Sequence, residues 1–383
     1  MPLLNMAIQP QIVFSEGASS ELRRLGKIKE LKEPVALSRL CSFGLASLAL
    51  TARPKEELPM TREHIELPDR TLLGVDWIGD SMGDPEAIVL VFPGIGTNSR
   101  RGFAGMISHH LAKTFTKLRV GVGVMQGHDN LPLQSTCLPA TAYVGKGDIG
   151  HIIEHVSSKW PTVPLAVVGC SIGAAHFTRW AGMNPDKLQE CRVQGAVLVC
   201  HGHSSRPAAT AVDASGAAPF ILAAYRDIVR RCPDLEVLAT SFPGFKPEKL
   251  RSARNLREWD EALLPVYGFS EHEAVMDAVD TTPAMMEQLP IPVIFLGAEN
   301  DPITPSTRLL EGHVYKLVKN SAVIHISHGS HMAWWEGPPW GLHQNWACSL
   351  MAEAISTLTH IPIPILTPAA PAPPPGCFCS RAA

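Results

Sequence analysis

Two hydrophobic periods alternate along most of the chain, from residue 63 almost to residue 360. Short unbroken apolar runs rich in Val and Ile recur as AIVLVF (87–92), RVGVGVM (119–125), LAVVG (165–169), GAVLVC (195–200), PVIFLG (292–297) and AVIHIS (322–327). Runs of that length and kind suit strands with both faces covered. Between them lie segments such as GMISHHLAKTF and DIGHIIEHVSSKW, with apolar positions three and four apart, the spacing of an amphipathic helix. The alternation predicts βαβ units: an α/β fold, a mostly parallel central sheet with helices on both faces. EHIELPDRTLLGVDW (63–77) reads as two alternating strands about a turn at PDR, which supplies an antiparallel edge.

One interval breaks the rhythm. Residues 203–289 separate two core strands by far more than a usual crossover, which predicts an inserted helical lid or cap. The main domain is expected over 61–360, with residues 1–60 as an N-terminal extension read as helical. The Pro- and Ala-rich stretch IPIPILTPAAPAPPPGCFCSRAA (361–383) is expected to be a disordered or polyproline tail.

Composition narrows the partners. The chain of 383 residues is 45% hydrophobic and 18% charged, with a formal net charge of −3, so it reads as globular and carries no electrostatic footprint for nucleic acid. Its one basic cluster, ELRRLGKIKELK (21–32), has the spacing of a solvated helix face. Nine cysteines, an odd number, include Cys170, Cys191 and Cys200 inside apolar segments, which points to buried thiols in a reducing compartment and a cytoplasmic protein. No secretory signal pattern opens the sequence. The early apolar run LCSFGLASLALTA is too short for the ~20 residues that span a bilayer, which leaves peripheral membrane contact open.

Candidate chemistry centres on VVGCSIGAAH (167–176), where Gly169-Cys170-Ser171-Ile172-Gly173 follows a predicted strand and opens a predicted helix. G-x-S-x-G in that context forms a nucleophile elbow. Serine is a weak nucleophile and needs a base and an orienter for that base. Asp301 in FLGAENDPITP lies just past one predicted strand, and His331 in ISHGSHMAWWEG just past the next. The order Ser171, Asp301, His331 is that of α/β-hydrolase triads, and in a parallel sheet residues beyond strand carboxyl ends converge on one edge. From the residues alone His328 competes with His331, while Asp260, Asp277 and Asp280 are rivals to Asp301 that fall in the cap interval.

Two backbone N–H groups are expected to stabilise the oxyanion: Ile172, at the start of a helix, and Ile95 in the turn FPGIGTNS. His201-Gly202-His203 lacks a third ligand at metal-like spacing, so neither a metal nor an organic cofactor is expected. The four tryptophans of MAWWEGPPWGLHQNW read as core packing or as an apolar wall for an acyl chain. Within the cap interval, Leu264 and Phe269 are candidates to line an acyl pocket.

Taken in order, TREHIELPDRTLLGVDW, FPGIGTNS, YVGKGDIGHIIEHV, VGCSIGAAHFTRWAG, NLREWDEALLPVYGF, GAENDPITP and HGSHMAWWEG resemble the blocks of the AB-hydrolase-4 family of α/β-hydrolases. That group holds bacterial YheT-like hydrolases, plant embryogenesis-associated proteins and yeast medium-chain ethyl ester synthases. The resemblance runs from about residue 61 to 360 and is most specific at REWDEALLPVYGF. It implies Ser171 as nucleophile, Asp301 as acid and His331, in GSHMAW, as base. The chain departs from the family at Phe92, at Ala174 and Ala175 after the elbow, in MQGHDN, and in SEHEAVMDAV. The expected activity is that of a serine carboxylic-ester hydrolase on small or lipid-like acyl esters. Acyl transfer to an alcohol with the same triad, or a catalytically silent binding fold, are the alternatives.

Overall fold

A strand buried on both faces must present apolar side chains alternately up and down, and the unbroken runs do so. The computed structural model of the chain describes residues 9–27, 50–80, 83–126, 128–131, 148–202, 205–230, 235–307, 314–336 and 344–363. Its strands are β1 (Gln11–Phe14), β2 (Met60–Glu66), β3 (Leu72–Ile78), β4 (Ala87–Phe92), β5 (Leu118–Val124), β6 (Leu165–Cys170), β7 (Val193–Val199), β8 (Val293–Ala298) and β9 (Ser321–Ile326). Among the described residues they form a nine-stranded sheet in the order β1-β9-β8-β7-β6-β4-β5-β3-β2. Pairing is parallel from β5 across to β9 and antiparallel in the β2–β3 hairpin and between β3 and β5.

Along β4 the alternation assigns Val89 and Val91 to one core and Ile88, Leu90 and Phe92 to the other. The helices α1 (Gly102–Thr114), α2 (Asp148–Lys159) and α3 (Ile172–Met183) follow β4, the loop after β5, and β6 in turn. Phe103 and Ile107 of α1 pack on the Val89 side; Ile149 and Ile153 of α2 and Phe177 of α3 pack on the Ile88 side.

Between β7 and β8 the chain leaves the sheet and forms α4 (Ser205–Ser215), α5 (Ala218–Arg230), α6 (Leu235–Ser241), α7 (Pro247–Ser252), α8 (Leu256–Tyr267), α9 (His272–Val279) and α10 (Pro283–Glu287). The helices α5 to α8 and their connections share a small core of their own, with Leu222, Tyr225, Leu250, Trp259 and Leu263 at its centre. Tyr225 stacks on Trp259 at 5.4 Å between ring centroids. The REWDEALLPVYGF block forms α8, opened by Asn255, whose side chain accepts the Glu258 N–H at 2.8 Å, and ended by Gly268 in the left-handed region. After β9, α11 (Trp346–Thr359) covers the Val89 face.

The N-terminal extension differs from expectation. Instead of only helix it supplies β1, which pairs antiparallel with β9 through Ile12 and Ile324 and so adds a second antiparallel edge. A four-residue strand carries too few alternations to stand out, and its partner lies some 300 residues away in sequence. Residues 28–49, which hold most of LCSFGLASLALTA, and 364–383 of the Pro- and Ala-rich tail lie outside the described residues. Among the described residues no helix is long and apolar enough to cross a membrane. Cys170, Cys191, Cys200 and Cys348 are free, buried thiols.

Candidate active site

The parallel strands bring three loops to one edge of the sheet. Next to β4 lie β5 on one side and β6 on the other, so the loops after β4 and β6 meet where the strand order reverses. Ser171 sits in that crevice with φ 53° and ψ −117°, a backbone conformation costly for a residue with a Cβ, on the order of 1–3 kcal/mol. Its N–H is held by Val199 O at 2.8 Å, and its carbonyl accepts the Ala174 N–H at 3.0 Å. The flanking glycines are needed for space: a Cβ on Gly169 would lie 2.5 Å from Ala174 Cα, and one on Gly173 2.4 Å from Phe92 O.

His331 and Asp301 are delivered by the loops after β9 and β8. His331 Nε2 lies 3.0 Å from Ser171 Oγ, and His331 Nδ1 lies 2.8 Å from Asp301 Oδ2. An ionised carboxylate only accepts, so Nδ1 carries the proton and Nε2 turns its lone pair to the Ser171 hydroxyl. Asp301 Oδ1 also accepts the N–H groups of Ile303 at 2.8 Å and Thr304 at 2.9 Å, and Thr304 Oγ1 lies 2.9 Å from Oδ2. Burial alone pushes the carboxyl pKa up. The electrostatic pull of the His331 ring, its hydrogen bond and the two backbone donors outweigh burial and hold Asp301 below the usual carboxylate range.

Asn300 ties the two loops together, a role that nothing in the sequence pattern singled out. Its Oδ1 accepts the N–H groups of Gly329 at 3.0 Å and Ser330 at 2.8 Å. Those bonds fix a turn in which Ser330 and Met332 both have positive φ, and His331 lies between them. The only signal available was adjacency to Asp301.

Ile95 and Ile172 border the same space as Ser171 and His331. In the turn after β4 the closing bond runs from Thr97 N–H to Gly94 O at 3.2 Å and leaves the Ile95 N–H outside it. Ile172 is the first residue of α3, where an N–H has no acceptor within the helix. Gly94 permits the close approach of the two loops: a Cβ there would stand 3.2 Å from Ser171 Cβ.

Above the serine opens a cavity of about 810 Å³. One wall is made by the helices between β7 and β8: Val212 of α4, Ile221 and Ala224 of α5, Leu256 of α8, Met276 and Val279 of α9. The rest of the lining is more polar and includes Asn98, His128, Asp129, Asn130 and His176. What surface His176 keeps faces the cavity; burial in the surrounding protein, with the nearby charges of Arg179 and His128, pushes its pKa down to about 3.

Several sequence candidates stand outside the relay of Ser171, His331 and Asp301. His328 Nδ1 meets Ser327 Oγ at 2.8 Å, so of the two histidines His331 is the one in contact with Ser171. Asp260 and Asp280 border the cavity but have other partners than His331: Asp260 faces His272 Nε2 at 3.4 Å, and Asp280 Oδ1 takes the Thr281 N–H at 3.1 Å; Asp277 lies on α9. Leu264 and Phe269 are half-buried but do not border the cavity, because α8 turns Leu256 and Asp260 toward it. Trp334, Trp335 and Trp346 belong to the core on the Val89 side and not to the cavity wall, Trp334 meeting Phe103 edge-on at 5.9 Å; Trp340 lies outside the described residues.

His201 is buried against Phe295 with Nε2 at 3.1 Å from Thr178 Oγ1, and His203 lies outside the described residues. Among the described residues one group has metal-like spacing, Cys200, Asp301 and His331, with ligand atoms within 4.8 Å of one another. Two of the three are bonded to each other, and burial drives the Cys200 thiol pKa well above its usual value, so it is held as a neutral thiol.

Comparison with known proteins places this geometry in a family. The profile of the Hydrolase_4 family, described as serine aminopeptidase S33, matches residues 83–336, more than half of the chain. Abhydrolase domain-containing protein 2 of Drosophila melanogaster is 22% identical over 214 residues, which cover 54% of this chain and 53% of that protein. The chain thus spans about half the length of the curated relative it matches. Solved structures with a similar fold include a thermostable carboxyl esterase of Bacillus coagulans in complex with glycerol, at 13% identity and a TM-score of 0.46 over 79% of this chain and 99% of that one. An esterase of Pyrococcus furiosus is 11% identical, with a TM-score of 0.48 over 81% of this chain and 97% of its own. With its sheet, its elbow and the profile match across them, the chain is an α/β-hydrolase that belongs to the Hydrolase_4, or serine aminopeptidase S33, family and to the AB-hydrolase-4 group within the fold.

Proposed function

We propose that the protein is a serine carboxylic-ester hydrolase acting on small or lipid-like acyl esters. The observation that carries this reading is the unbroken relay from Ser171 Oγ to His331 at 3.0 Å and from His331 to Asp301 at 2.8 Å, placed beside a cavity with an apolar wall. Ser171 Oγ attacks the ester carbonyl carbon as its proton passes to His331 Nε2. The carbonyl oxygen becomes an oxyanion that accepts the N–H groups of Ile95 and Ile172. The imidazolium, stabilised by Asp301, returns the proton to the leaving alcohol as the C–O bond breaks. Water then attacks the acyl-serine, with His331 again taking and returning a proton, and the acid is released.

The helices α4 to α10 act in this reading as a cap whose apolar wall receives the acyl chain. That wall also lowers the water content beside the acyl-serine, which favours acyl transfer to an alcohol as the second outcome of the same intermediate.

The test is Ser171→Ala, assayed on p-nitrophenyl esters of graded chain length with and without ethanol and paired with labelling of the parent by a fluorophosphonate. The parent is expected to label and to turn esters over, and the variant to do neither. Turnover by purified Ser171→Ala above a few per cent of the parent would remove Ser171 from the mechanism; a parent that neither labels nor hydrolyses would be a silent fold. The split between acid and ethyl ester reports which acceptor prevails.

A further inference from the structure

The β2–β3 hairpin lies at the far edge of the sheet, yet one of its faces is wired to the loop that carries Ile95. Arg62 and Asp76 stand opposite each other in the register. The guanidinium grips the Asp76 carboxylate with two bonds, Nε to Oδ1 at 2.6 Å and Nη2 to Oδ2 at 2.8 Å. Asp76 is fully buried, and a buried carboxylate is tolerable only when its charge is paired and its lone pairs are used. Its remaining capacity goes to the loop: Ser99 Oγ donates to Asp76 Oδ2 at 2.6 Å.

Arg62 holds a second loop as well. Its Nη1 donates to the Asp129 carbonyl at 2.6 Å and its Nη2 to the Asp129 carboxylate. Asp129 and Asn130 both have positive φ, so this turn is strained and needs such a clamp. Asp129 Oδ1 in turn accepts Asn98 Nδ2 at 3.1 Å, and Asn98 Oδ1 accepts the N–H groups of Arg100 and Arg101 at 2.9 and 3.1 Å. On the loop's other side, His109 accepts the Leu58 N–H at Nδ1 (2.9 Å), so its Nε2 bears the proton it gives to Ser99 O at 3.0 Å. Residues 98 and 99, three and four positions beyond Ile95, are therefore held from three directions, and two of those lead to Arg62.

We propose that Arg62, Asp76 and Ser99 are positioning residues for oxyanion stabilisation: the ion pair on the edge hairpin fixes the 94–101 loop so that the Ile95 N–H is aimed before the reaction begins. The inference rests on the assignment of Ser171 as nucleophile and Ile95 as oxyanion donor. A donor that is already oriented needs no reorganisation when the oxyanion forms, and losing one such donor costs roughly 10²–10³ in kcat. Loosening the loop loses part of that, so kcat should fall about 10- to 100-fold while KM, set by the apolar cavity, stays within about twofold.

The experiment compares three variants of the full chain with the parent. Ser99→Ala cuts the loop from Asp76 and leaves the ion pair intact; Arg62→Lys keeps the charge but loses the two-pronged grip. Glu63→Gln, on the opposite face of the same strand, weakens the hairpin away from the site and serves as the stability control. Each is measured for kcat, KM, thermal midpoint and the inhibition constant of a trifluoromethyl ketone, which forms a tetrahedral oxyanion on the serine. The expected result is that Ser99→Ala and Arg62→Lys lose affinity for the ketone by the same factor as kcat, with less than additive effects when combined. Glu63→Gln should lower the midpoint without moving either constant. Unchanged kcat and ketone affinity in both site-face variants, or equal losses in Glu63→Gln, would overturn the proposal. Turnover that survives Ser171→Ala would instead bring down the reading on which it stands.

Discussion

His328 and His331 share one short loop, and the difference between them is direction. Gly329, Ser330 and Met332 have positive φ, and Asn300 pins the first two of these through their N–H groups, so the chain turns His331 inward onto Asp301 and Ser171. His328 is left beside Ser327. His331→Ala is therefore expected to lower kcat by roughly 10³-fold or more, because members of such a relay act as a unit. His328→Ala should stay within about tenfold of the parent. Steady-state kinetics on one short ester decide the order, and the reverse ranking would refute it. Asp301 supports the same histidine from a pocket of donors that keeps it ionised. Asn at that position can offer an amide N–H where an acceptor is needed, so Asp301→Asn should cost on the order of 10³–10⁴ in kcat through the wrong imidazole tautomer.

At the scale of elements, the β2–β3 hairpin carries two separate polar clusters on opposite faces. Arg62 faces the loops of the site, while Glu63 faces α2, where it accepts from His155 Nε2 at 2.9 Å and Lys159 Nζ at 2.8 Å, and it also accepts from Trp77 Nε1 of β3 at 2.8 Å. Burial raises the Glu63 pKa, but the bonds to His155, Lys159 and Trp77 prevail and lower it from 4.5 to about 2. The sign of the linkage follows. A depressed carboxylate pKa adds stability that is complete above 4.5 and is lost as the pH falls toward 2. Because Lys159 and His155 are partly solvated, solvent screening cuts the contribution to about 1 kcal/mol or less. Glu63→Gln should thus lower the urea midpoint at pH 7, and the gap to the parent should narrow by pH 3. A gap that is constant with pH would mean that Glu63 acts through packing alone.

For the whole molecule, the cavity is bounded by two units of different origin: the loops at the sheet edge and the helices between β7 and β8. Ile95 joins them, since its side chain packs on the Leu222–Trp259 core of the helical unit while the residue borders the cavity. If the acyl chain lies against α8 and α9, each buried methylene contributes at most about 0.8 kcal/mol, or about fourfold in kcat/KM, until the space is full. Val279→Phe, which fills the wall, should shift the preferred ester to a shorter chain, and Leu256→Ala to a longer one. Leu264→Ala should leave the optimum in place, because that side chain does not reach the cavity. The p-nitrophenyl ester series on the three variants measures this, and a profile that none of them moves would place the acyl chain elsewhere.

Local pattern determined much of this protein. The strands from β2 to β9, the helices α1 and α2, and the helix-rich interval after β7 follow from periodicity that each segment carries within itself. The turn at Ser171 is local as far as Gly169 is concerned, since a Cβ there would meet Ala174, whereas the need for glycine at 173 comes from the backbone of Phe92 and Pro93 at the end of another strand. The chain order of Ser171, Asp301 and His331 also pointed to one sheet edge, since parallel strands deliver their carboxyl ends together. What tertiary structure alone decided are contacts between segments far apart in sequence. It turned His331 and not His328 to a serine 160 positions away, and joined Asn300 to Ser330. It recruited β1 to the edge beside β9, sent Trp334 into the core, and chose Leu256 and Val279 over Leu264 and Phe269 for the cavity wall. It also linked Arg62 and Asp76 to Ser99. The physical reason is common to all of these: a side chain's direction depends on how separate elements pack, and the pattern within one segment holds only which face is apolar, not what that face will meet.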